Sequence, residues 1–272
     1  MRRFLGLCAL LLLVGAASAG EIQVAWYGQS MFLVTTPKGT RVVLDPHNLE
    51  EYRIQPLKAD LVLMSHFHTD HSKAEVISNL KEAKAFNALK KTGPNDAIID
   101  WNPVDEKVKD VRIQSLGTYH DESSGLKHGK NGVWILDIDG VRIVHLGDLG
   151  HTLTKAQLKK LGDVDVLMVP VGGVYALNGI SAWKVVEQVK PKRAVLPMHY
   201  GTIVFSDLLP LNYFTDEAKD AGMPVVRMKP REVLKIDTAA PPPKQASVVV
   251  LDYQQAAGED EEEEVKRAAH RK

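Results

Sequence analysis

Residues 61–72 of the chain read Leu-Val-Leu-Met-Ser-His-Phe-His-Thr-Asp-His-Ser. The first four form a continuous apolar run, which is typical of a short strand covered on both faces. Three imidazoles and one carboxylate follow within six residues, at His66, His68, Asp70 and His71. Such a group is costly to bury without a shared cation, and these ligand types without thiolate suit zinc, manganese or iron. The stretch therefore predicts a strand that runs into a metal-binding loop.

One loop cannot complete two coordination spheres, so further histidines and aspartates are expected at other strand ends. Three residues meet this expectation. His120 follows the strand-like segment 111–116, Asp148 follows 141–146, and His199 follows 194–196. A single histidine in such a place is more often structural, but together with the dense loop the three predict a shared metal site.

Short apolar runs alternate with helical patterns from residue 21 to about residue 237, which predicts a mixed α/β protein with covered sheets. Residues 133–138 and 141–145 flank Asp139-Gly140 and predict a hairpin. Capping boxes predict two helix starts, one at Thr154 with Gln157 and one at Ser72 with Glu75. A third helix is predicted over residues 183–189.

Residues 1–19 have the pattern of a signal peptide. Arg2 and Arg3 precede an apolar run at 4–14, and small residues at 17–19 predict cleavage after Ala19. Loss of Arg2 and Arg3 changes the formal net charge from zero to −2, and loss of Cys8 leaves no cysteine. A chain without cysteine suits an oxidising compartment, so we expect export to the periplasm or beyond the cell; an uncleaved anchor is the alternative.

The composition changes after residue 237. A proline-rich segment at 239–243 predicts a linker, and an acidic block at 259–264 predicts a solvated tail. We therefore expect a folded domain over residues 20–237 and a disordered segment over 238–272. Two alternatives stay open: residues 248–251 add an edge strand, or the tail docks a partner.

Several further segments narrow the assignment, namely 26–30 (Trp-Tyr-Gly-Gln-Ser), 44–46 (Leu-Asp-Pro), Gly147-Asp148, 170–173 (Pro-Val-Gly-Gly) and 197–200 (Pro-Met-His-Tyr). Together with the histidines and aspartates they resemble the metallo-β-lactamase-fold superfamily. Within it they resemble the branch of metal-dependent hydrolases that includes ascorbate-6-phosphate lactonase and N-acyl-phosphatidylethanolamine phospholipase D. The resemblance implies a four-layer α/β/β/α sandwich with the site at one edge between the sheets.

The resemblance also implies the roles of the site residues. It implies two divalent metal ions, with a hydroxide held between them as the nucleophile. Zinc is the expected metal, and manganese or iron is the alternative. The first ion would be bound by His66, His68 and His120, the second by Asp70, His71 and His199, and Asp148 would bridge both. Asp45 would orient the ligand loop. Asp70 would also hydrogen-bond the nucleophile or pass its proton to the leaving group. His145 is expected to lie partly buried behind the ligands.

The residues give weaker indications of how a substrate would be bound. His151, Tyr200 and Lys130 are candidate substrate contacts, with Asn131 beside Lys130. Three other histidines, His47, His128 and His270, are expected to be exposed. Gln29 and Asn178 depart from the pattern of the branch, which bears on substrate choice and not on metal binding.

The expected function is an exported dinuclear hydrolase of a lactone, ester or amide-type small molecule. A phosphodiesterase of the same fold is the first alternative, and a non-catalytic metal-binding or partner-docking protein is the second. The numbers of basic and acidic residues are equal, at 34 each, so charge gives no reason to expect nucleic-acid binding. The composition also excludes a multi-span membrane protein, while the oligomeric state stays open.

Overall fold

The computed structural model describes residues 20–254, so the predicted signal peptide and the acidic block at 259–264 lie outside the described residues. Two mixed β-sheets and a two-stranded hairpin make up the β structure of this part of the chain. The helices within it are too short and too polar to cross a lipid bilayer.

The first sheet has six strands in the order β15-β1-β2-β3-β4-β5. Its side chains alternate between two apolar layers: Val42 and Leu44 face the main core, whereas Val43 faces a smaller outer cluster. This alternation is the expected consequence of the two-residue strand period. The strands are β1 Glu21–Trp26, β2 Phe32–Thr35, β3 Arg41–Leu44, β4 Leu61–Met64, β5 Lys84–Asn87 and β15 Leu234–Asp237.

The second sheet has eight strands in the order β14-β16-β13-β12-β11-β10-β9-β8. The predicted hairpin is present, with β10 and β11 antiparallel around Asp139 and Gly140. β11, β12 and β13 are parallel, so their carboxyl ends meet at one edge. The strands are β8 Asp105–Val108, β9 Val111–Tyr119, β10 Lys130–Ile138, β11 Val141–His145, β12 Val166–Pro170, β13 Ala194–Met198, β14 Val225–Arg227 and β16 Ser247–Val250.

The inner faces of the two sheets share one continuous apolar core, which confirms the expected sandwich. Three helices lie beside the second sheet, α2 packing against β12 and α3 against β14. The Thr154–Gln157 capping box forms as predicted at the start of α1, and the third predicted helix is part of α2. The helices are α1 Lys155–Leu161, α2 Gly179–Val189 and α3 Asn212–Asp220, and the separate hairpin is β6 Leu89–Thr92 with β7 Ile98–Trp101.

The prediction of a helix that begins at Ser72, with Glu75 completing its capping box, is wrong. The segment forms a single 3-10 turn at Ala74–Val76. The Ser72 hydroxyl donates to the carbonyl of His68 at 2.8 Å, so it bonds back to the ligand loop and does not cap a helix. The outer layer of the first sheet is therefore built from turns and loops that pack on its apolar outer cluster.

The expected end of the folded domain at residue 237 is also wrong. Residues 247–250 form β16, which lies between β13 and β14 and pairs with both. Val248 is fully buried, and its neighbours 249–251 are at most 7% exposed. The open alternative of a final strand is therefore correct, although the strand is internal to the sheet and not at its edge.

Candidate metal centre

Seven candidate ligands meet where four strands end. The loop with His66, His68, Asp70 and His71 follows β4 of the first sheet, and the other three residues follow β9, β11 and β13 of the second. These strand ends lie at the same edge of the sandwich. The fold therefore brings together residues that are up to 133 positions apart in sequence, from His66 to His199.

The carboxylate of Asp148 lies at the centre of this group. Its Oδ2 atom is 3.2 Å from Nε2 of His71, 3.2 Å from Nε2 of His120 and 3.4 Å from Nε2 of His199. Asp70 lies across from it, with Oδ2 3.4 Å from His71 Nε2 and 3.5 Å from His199 Nε2. One carboxylate oxygen is thus shared by three imidazoles from different parts of the chain.

Three sets of side chains have ligand atoms within 4.8 Å of one another and could each hold a metal ion. Two of them have the same members as the two sets of three that the family resemblance implies. The third set connects the other two through Asp148. The sets are His66, His68 and His120; Asp70, His71 and His199; and His66, His71 and Asp148.

The donor atoms of this centre fit a cation. Nε2 of His71, Nε2 of His120 and Oδ1 of Asp148 are buried and have no hydrogen-bond partner. Unpaired buried polar atoms carry a desolvation cost, and a divalent ion offsets that cost by accepting their lone pairs. Nitrogen and oxygen atoms without sulfur form the donor set, which suits zinc and its neighbours.

Three of the imidazoles are oriented by hydrogen bonds on their other nitrogen. Nδ1 of His71 donates to Asp45 at 2.9 Å, and Nδ1 of His120 donates to the carbonyl of Tyr175 at 3.0 Å. Nδ1 of His66 lies 2.8 Å from the hydroxyl of Ser65. In each ring Nε2 is the nitrogen that faces the centre, and a proton held on Nδ1 leaves Nε2 available to a metal ion, as metal-binding histidines require.

Burial and mutual charge shift the pKa values within the centre. Burial lowers the pKa of His66 well below its usual value, and the nearby His71 adds to this. Burial alone would lower the pKa of His71, but the carboxylates of Asp148 and Asp70 outweigh it and raise that pKa. Burial would raise the pKa of Asp148, yet His199 and His71 hold it well below its usual range. Asp148 is therefore ionised at neutral pH and available to a cation.

Asp45 and Ser65 hold the ligand loop from behind. Asp45 is fully buried and accepts hydrogen bonds from the backbone N–H and the hydroxyl of Ser65, at 2.7 and 2.6 Å, as well as from His71. Asp45 thus orients His71 directly and His66 through Ser65. The sequence identified Asp45 through the resemblance but missed Ser65, whose position directly before the first histidine was the available clue.

Asn131 and His145 hold the turn that carries Asp148. The side-chain oxygen of Asn131 accepts from the backbone N–H of Asp148 at 3.0 Å, and its amide donates to the carbonyl of Leu146 at 2.9 Å. His145 accepts from the backbone N–H of Gly147 at 3.1 Å and donates to Ser30. Gly147 has a φ of 54°, and a Cβ there would lie 2.4 Å from Asn131. Asn131 is therefore buried support for the turn and not an anion contact.

The backbone of His199 is held in an unusual conformation. Its φ is 51°, which is rare for a residue with a side chain. Its N–H donates to the carbonyl of Gln29, which also accepts from the indole of Trp26. A Cβ on Gly172 would lie only 2.1 Å from the carbonyl oxygen of His199. Gln29 and Gly172 thus fix this ligand from two sides.

The centre opens into a cavity of about 530 Å³. Phe67, His128 and Tyr175 form its wall above the candidate ligands. His128 was expected to be exposed, but it is half-buried, and its ring centroid lies 5.5 Å from that of His120. His47 was also expected to be exposed, but it is fully buried. Its ring donates to the carbonyl of Gly28. His270 lies outside the described residues.

Comparisons with known proteins agree with this geometry. Residues 23–199 match the family model described as a beta-lactamase superfamily domain. The chain belongs to the metallo-beta-lactamase superfamily. It is 32% identical over 196 residues to a UPF0173 protein of Pyrococcus furiosus, covering 68% of this chain and 87% of that protein. It is 30% identical over 194 residues to a UPF0173 metal-dependent hydrolase of Thermococcus onnurineus, covering 66% and 85%.

Solved structures of superfamily members show the same fold. A Thermotoga maritima protein assigned to the Zn-dependent hydrolases of the superfamily is 29% identical, with a TM-score of 0.62, and the match covers 86% of this chain and 100% of that one. Igni18, a metallo hydrolase of Ignicoccus hospitalis, is 22% identical with a TM-score of 0.54, covering 79% and 98%. The expectation of a metal-dependent hydrolase is therefore confirmed at the level of the family, while the narrower branch stays a resemblance.

Three residues expected to contact substrate have other partners in this metallo-β-lactamase fold. Both ring nitrogens of His151 are engaged, by the backbone N–H of Tyr119 and the carbonyl of Thr152. Tyr200 is 7% exposed and stacks on Trp26, with 5.1 Å between ring centroids. The ammonium of Lys130 donates to Asp100 and to the carbonyl of Ile99. His151 and Lys130 are thus held by partners within the protein and Tyr200 is packed in the core, and none of the three lines the cavity at the candidate ligands, contrary to expectation.

Asp121 organises the loop that carries His128. Its carboxylate accepts four backbone N–H bonds within residues 121–128, from Ser123, Gly125, Lys127 and His128, at 2.7 to 3.1 Å. These bonds hold the pKa of Asp121 below its usual value, although burial opposes them. The sequence assigned no role to Asp121. The only clue was that Asp121 directly follows a candidate ligand and precedes a segment that contains two glycines.

Proposed function

We propose that the protein is an exported dinuclear metal-dependent hydrolase that cleaves a small lactone, ester or amide-type substrate. The observation that carries this proposal is the position of Asp148, one oxygen of which is shared by three imidazoles. A carboxylate in that position is suited to bridge two cations. The names of the relatives as metal-dependent hydrolases support the reaction class.

The ligand assignment follows the grouping of donor atoms. His66, His68 and His120 would hold one ion, and Asp70, His71 and His199 would hold the other, with Asp148 between them. Zinc is proposed as the metal because five nitrogen donors and two carboxylates match its preferences. When bound, such ions would supply a water of lowered pKa and polarise the carbonyl oxygen of the substrate.

The chain's own residues then position the substrate and transfer the proton. The Asp70 side chain is 30% exposed and lines the cavity, so it can reach both water and substrate. Its carboxylate accepts a proton from the attacking water and passes it to the departing oxygen or nitrogen. The water oxygen bonds to the carbonyl carbon as the C–O or C–N bond breaks, which gives an acid and an alcohol or amine.

The cavity favours a carbonyl substrate over a phosphodiester. Neither lysine nor arginine is among the described residues that line it. Transferring phosphoryl groups are commonly stabilised by such cations. Lys130, the nearest basic residue predicted to help, is held by Asp100 on the hairpin. The charges around the cavity therefore support a carbonyl substrate over a phosphodiester.

Metal analysis with an activity screen tests the proposal. We expect about two zinc ions per chain in the purified protein, hydrolysis of at least one class among lactones, thioesters and carboxylic esters, and loss of activity on chelation. Chelation should also lower the melting temperature, since an ion that binds only the folded state stabilises it. Full activity without metal, or two bound ions without any hydrolysis, would favour another function.

Export is tested separately. When the full chain is produced in a Gram-negative bacterium, we expect the protein in the periplasmic fraction with Gly20 as its first residue. A protein that stays in the cytosol and begins at Met1 would contradict export without bearing on the reaction.

A further inference from the structure

A second cleft adjoins the proposed catalytic cavity. It has a volume of about 260 Å³ and lies between the loop after β4 and the hairpin β6–β7. Phe67, Leu89 and Ile99 form its apolar lining, Gly125 and Gly129 contribute to it, and its polar lining comes from His66, His68, Ser124, His128 and Lys130. A larger share of its surface is apolar than in the ligand-lined cavity beside it.

The cleft and the catalytic cavity are adjacent and share part of their walls. Phe67, His68 and His128 line both of them. A chain of atoms in the cleft can thus run past these residues and place its end group above the candidate ligands. Because the two share a wall, the cleft adjoins the same candidate active centre.

Hydrogen bonds hold the wall of the cleft, and Lys130, which lines it, is paired with Asp100. Trp101 anchors the hairpin because its indole N–H donates to the carbonyls of Thr118 and Asn131 at 3.0 and 3.2 Å. The ammonium of Lys130 is fixed to Asp100 and to the carbonyl of Ile99. Ile99 nevertheless remains 44% exposed, although its backbone is fixed. An exposed aliphatic side chain held at the mouth of a catalytic cavity indicates an apolar ligand group.

We propose that this cleft binds the hydrocarbon part of an acyl substrate, so that the preferred substrate is a medium-chain acyl ester or lactone. This inference rests on the proposed hydrolase function and adds the substrate class. A methylene group needs about the space of a water molecule, roughly 30 Å³, so the cleft has room for about eight carbon atoms. Short acyl groups leave it unfilled, whereas a longer hydrocarbon chain reaches Phe67, Leu89 and Ile99.

The first measurement is the rate of hydrolysis of 4-nitrophenyl esters from acetate to decanoate by the zinc-loaded protein. We expect kcat/KM to rise by up to about fourfold per methylene, the factor that corresponds to about 0.8 kcal/mol. The rise should stop near octanoate, when the cleft is full. A kcat/KM that does not change with chain length would overturn the proposal.

Ile99→Ser and Ile98→Ser form a matched pair of variants. Ile98 precedes Ile99 on the same strand and points to the opposite face of the hairpin, where it is 53% exposed. We expect Ile99→Ser to lower kcat/KM for octanoate about tenfold and to leave acetate within twofold, while Ile98→Ser changes neither. Ile99→Trp should fill the cleft and move the optimum to shorter chains. Equal effects of both serine variants would contradict the proposal.

Binding of carboxylates separates this proposal from the hydrolase proposal. Calorimetric titration with acetate, butanoate, hexanoate and octanoate requires no turnover. If no ester is hydrolysed but octanoate binds more tightly than acetate and loses that advantage in Ile99→Ser, the cleft stands and the reaction is wrong. If esters are hydrolysed but affinity and rate do not depend on chain length, the reaction stands and the cleft is wrong.

Discussion

Asp45 and His71 are joined by a hydrogen bond of 2.9 Å that determines how the imidazole faces the metal centre. A carboxylate can only accept, so Nδ1 of His71 carries the proton. The opposite nitrogen, Nε2, then faces the centre, 3.2 Å from Oδ2 of Asp148. Because both side chains are fully buried, water does not compete for this bond. The orientation of a candidate ligand is thus set by a residue 26 positions earlier in the chain.

Replacement of Asp45 by Asn should weaken metal binding. The Asn side chain keeps one acceptor oxygen, so its amide nitrogen faces either the backbone N–H of Ser65 or the two donors on the other oxygen, the Ser65 hydroxyl and His71, and the loop loses a fixed partner. Loss of such a support costs about 10–100-fold in metal affinity, and we expect that range in competition with a chelating indicator. Asp60→Asn is the matched control. Asp60 directly precedes β4, the strand that the ligand loop follows, and it pairs with Lys109 at the surface. A similar loss in both variants would mean that the effect is general destabilisation.

Replacement of Asp148 by Asn should reduce hydrolysis by roughly 100-fold or more, since a lost catalytic ligand can cost several kcal/mol of transition-state stabilisation. The variant keeps the size of the side chain but removes the charge shared by three imidazoles. Steady-state kinetics and metal counting measure both consequences. Asp139→Asn is the control, because Asp139 is exposed in the β10–β11 turn with a φ of 45°, which Asn tolerates. Equal, mild effects would show that Asp148 does not bridge ions.

Replacement of Asp121 by Asn should destabilise the loop that carries His128. The sequence assigns Asp121 no role, but the structure shows two N–H groups on each of its carboxylate oxygens. An amide nitrogen would face the donors of Lys127 and His128 and leave them unpaired, at about 1–3 kcal/mol. Denaturant unfolding should show this loss, and the KM for an ester should rise. Asp163→Asn, at a site 87% exposed, should change neither.

Two truncations test the role of β16. A chain that ends at Asp237 should lose cooperative thermal unfolding, whereas a chain that ends at Gln254 should keep it. Four buried aliphatic residues at 248–251 contribute roughly 1.5–3 kcal/mol each, which approaches the whole stability of about 5–15 kcal/mol typical of a domain. Calorimetry measures the difference. Cooperative unfolding of the shorter chain would show that the sheet is stable without its inserted strand.

The strands and the metal-ligand loop could be predicted from the sequence because their patterns are local. Residues 61–64 form a strand with the predicted limits. The capping box at Thr154 also forms, since its two hydrogen bonds depend only on neighbours in the chain. Local patterns of this kind largely determine where strands end, and the candidate ligands follow those ends.

The supporting residues could not be predicted because their partners are distant in sequence. Asn131 holds the turn of Asp148 only after β10 and β11 have paired, and Ile99 borders the centre only through the hairpin. Ser72 has the pattern of a helix cap, yet its hydroxyl bonds to His68 in the folded loop. In each case tertiary contacts overrode the meaning that the residue has in an isolated segment.

The position of β16 has a consequence for how the chain is made. Translation proceeds from the N-terminus, so β13 and β14 leave the ribosome before the strand that joins them. Tyr253 then packs against Trp26 and Tyr52, near the start of the described chain. A nascent chain released before this point keeps an open sheet edge, which is prone to aggregation and accessible to proteases. The chain is therefore protected from aggregation and proteolysis at this sheet only after β16 has been synthesised.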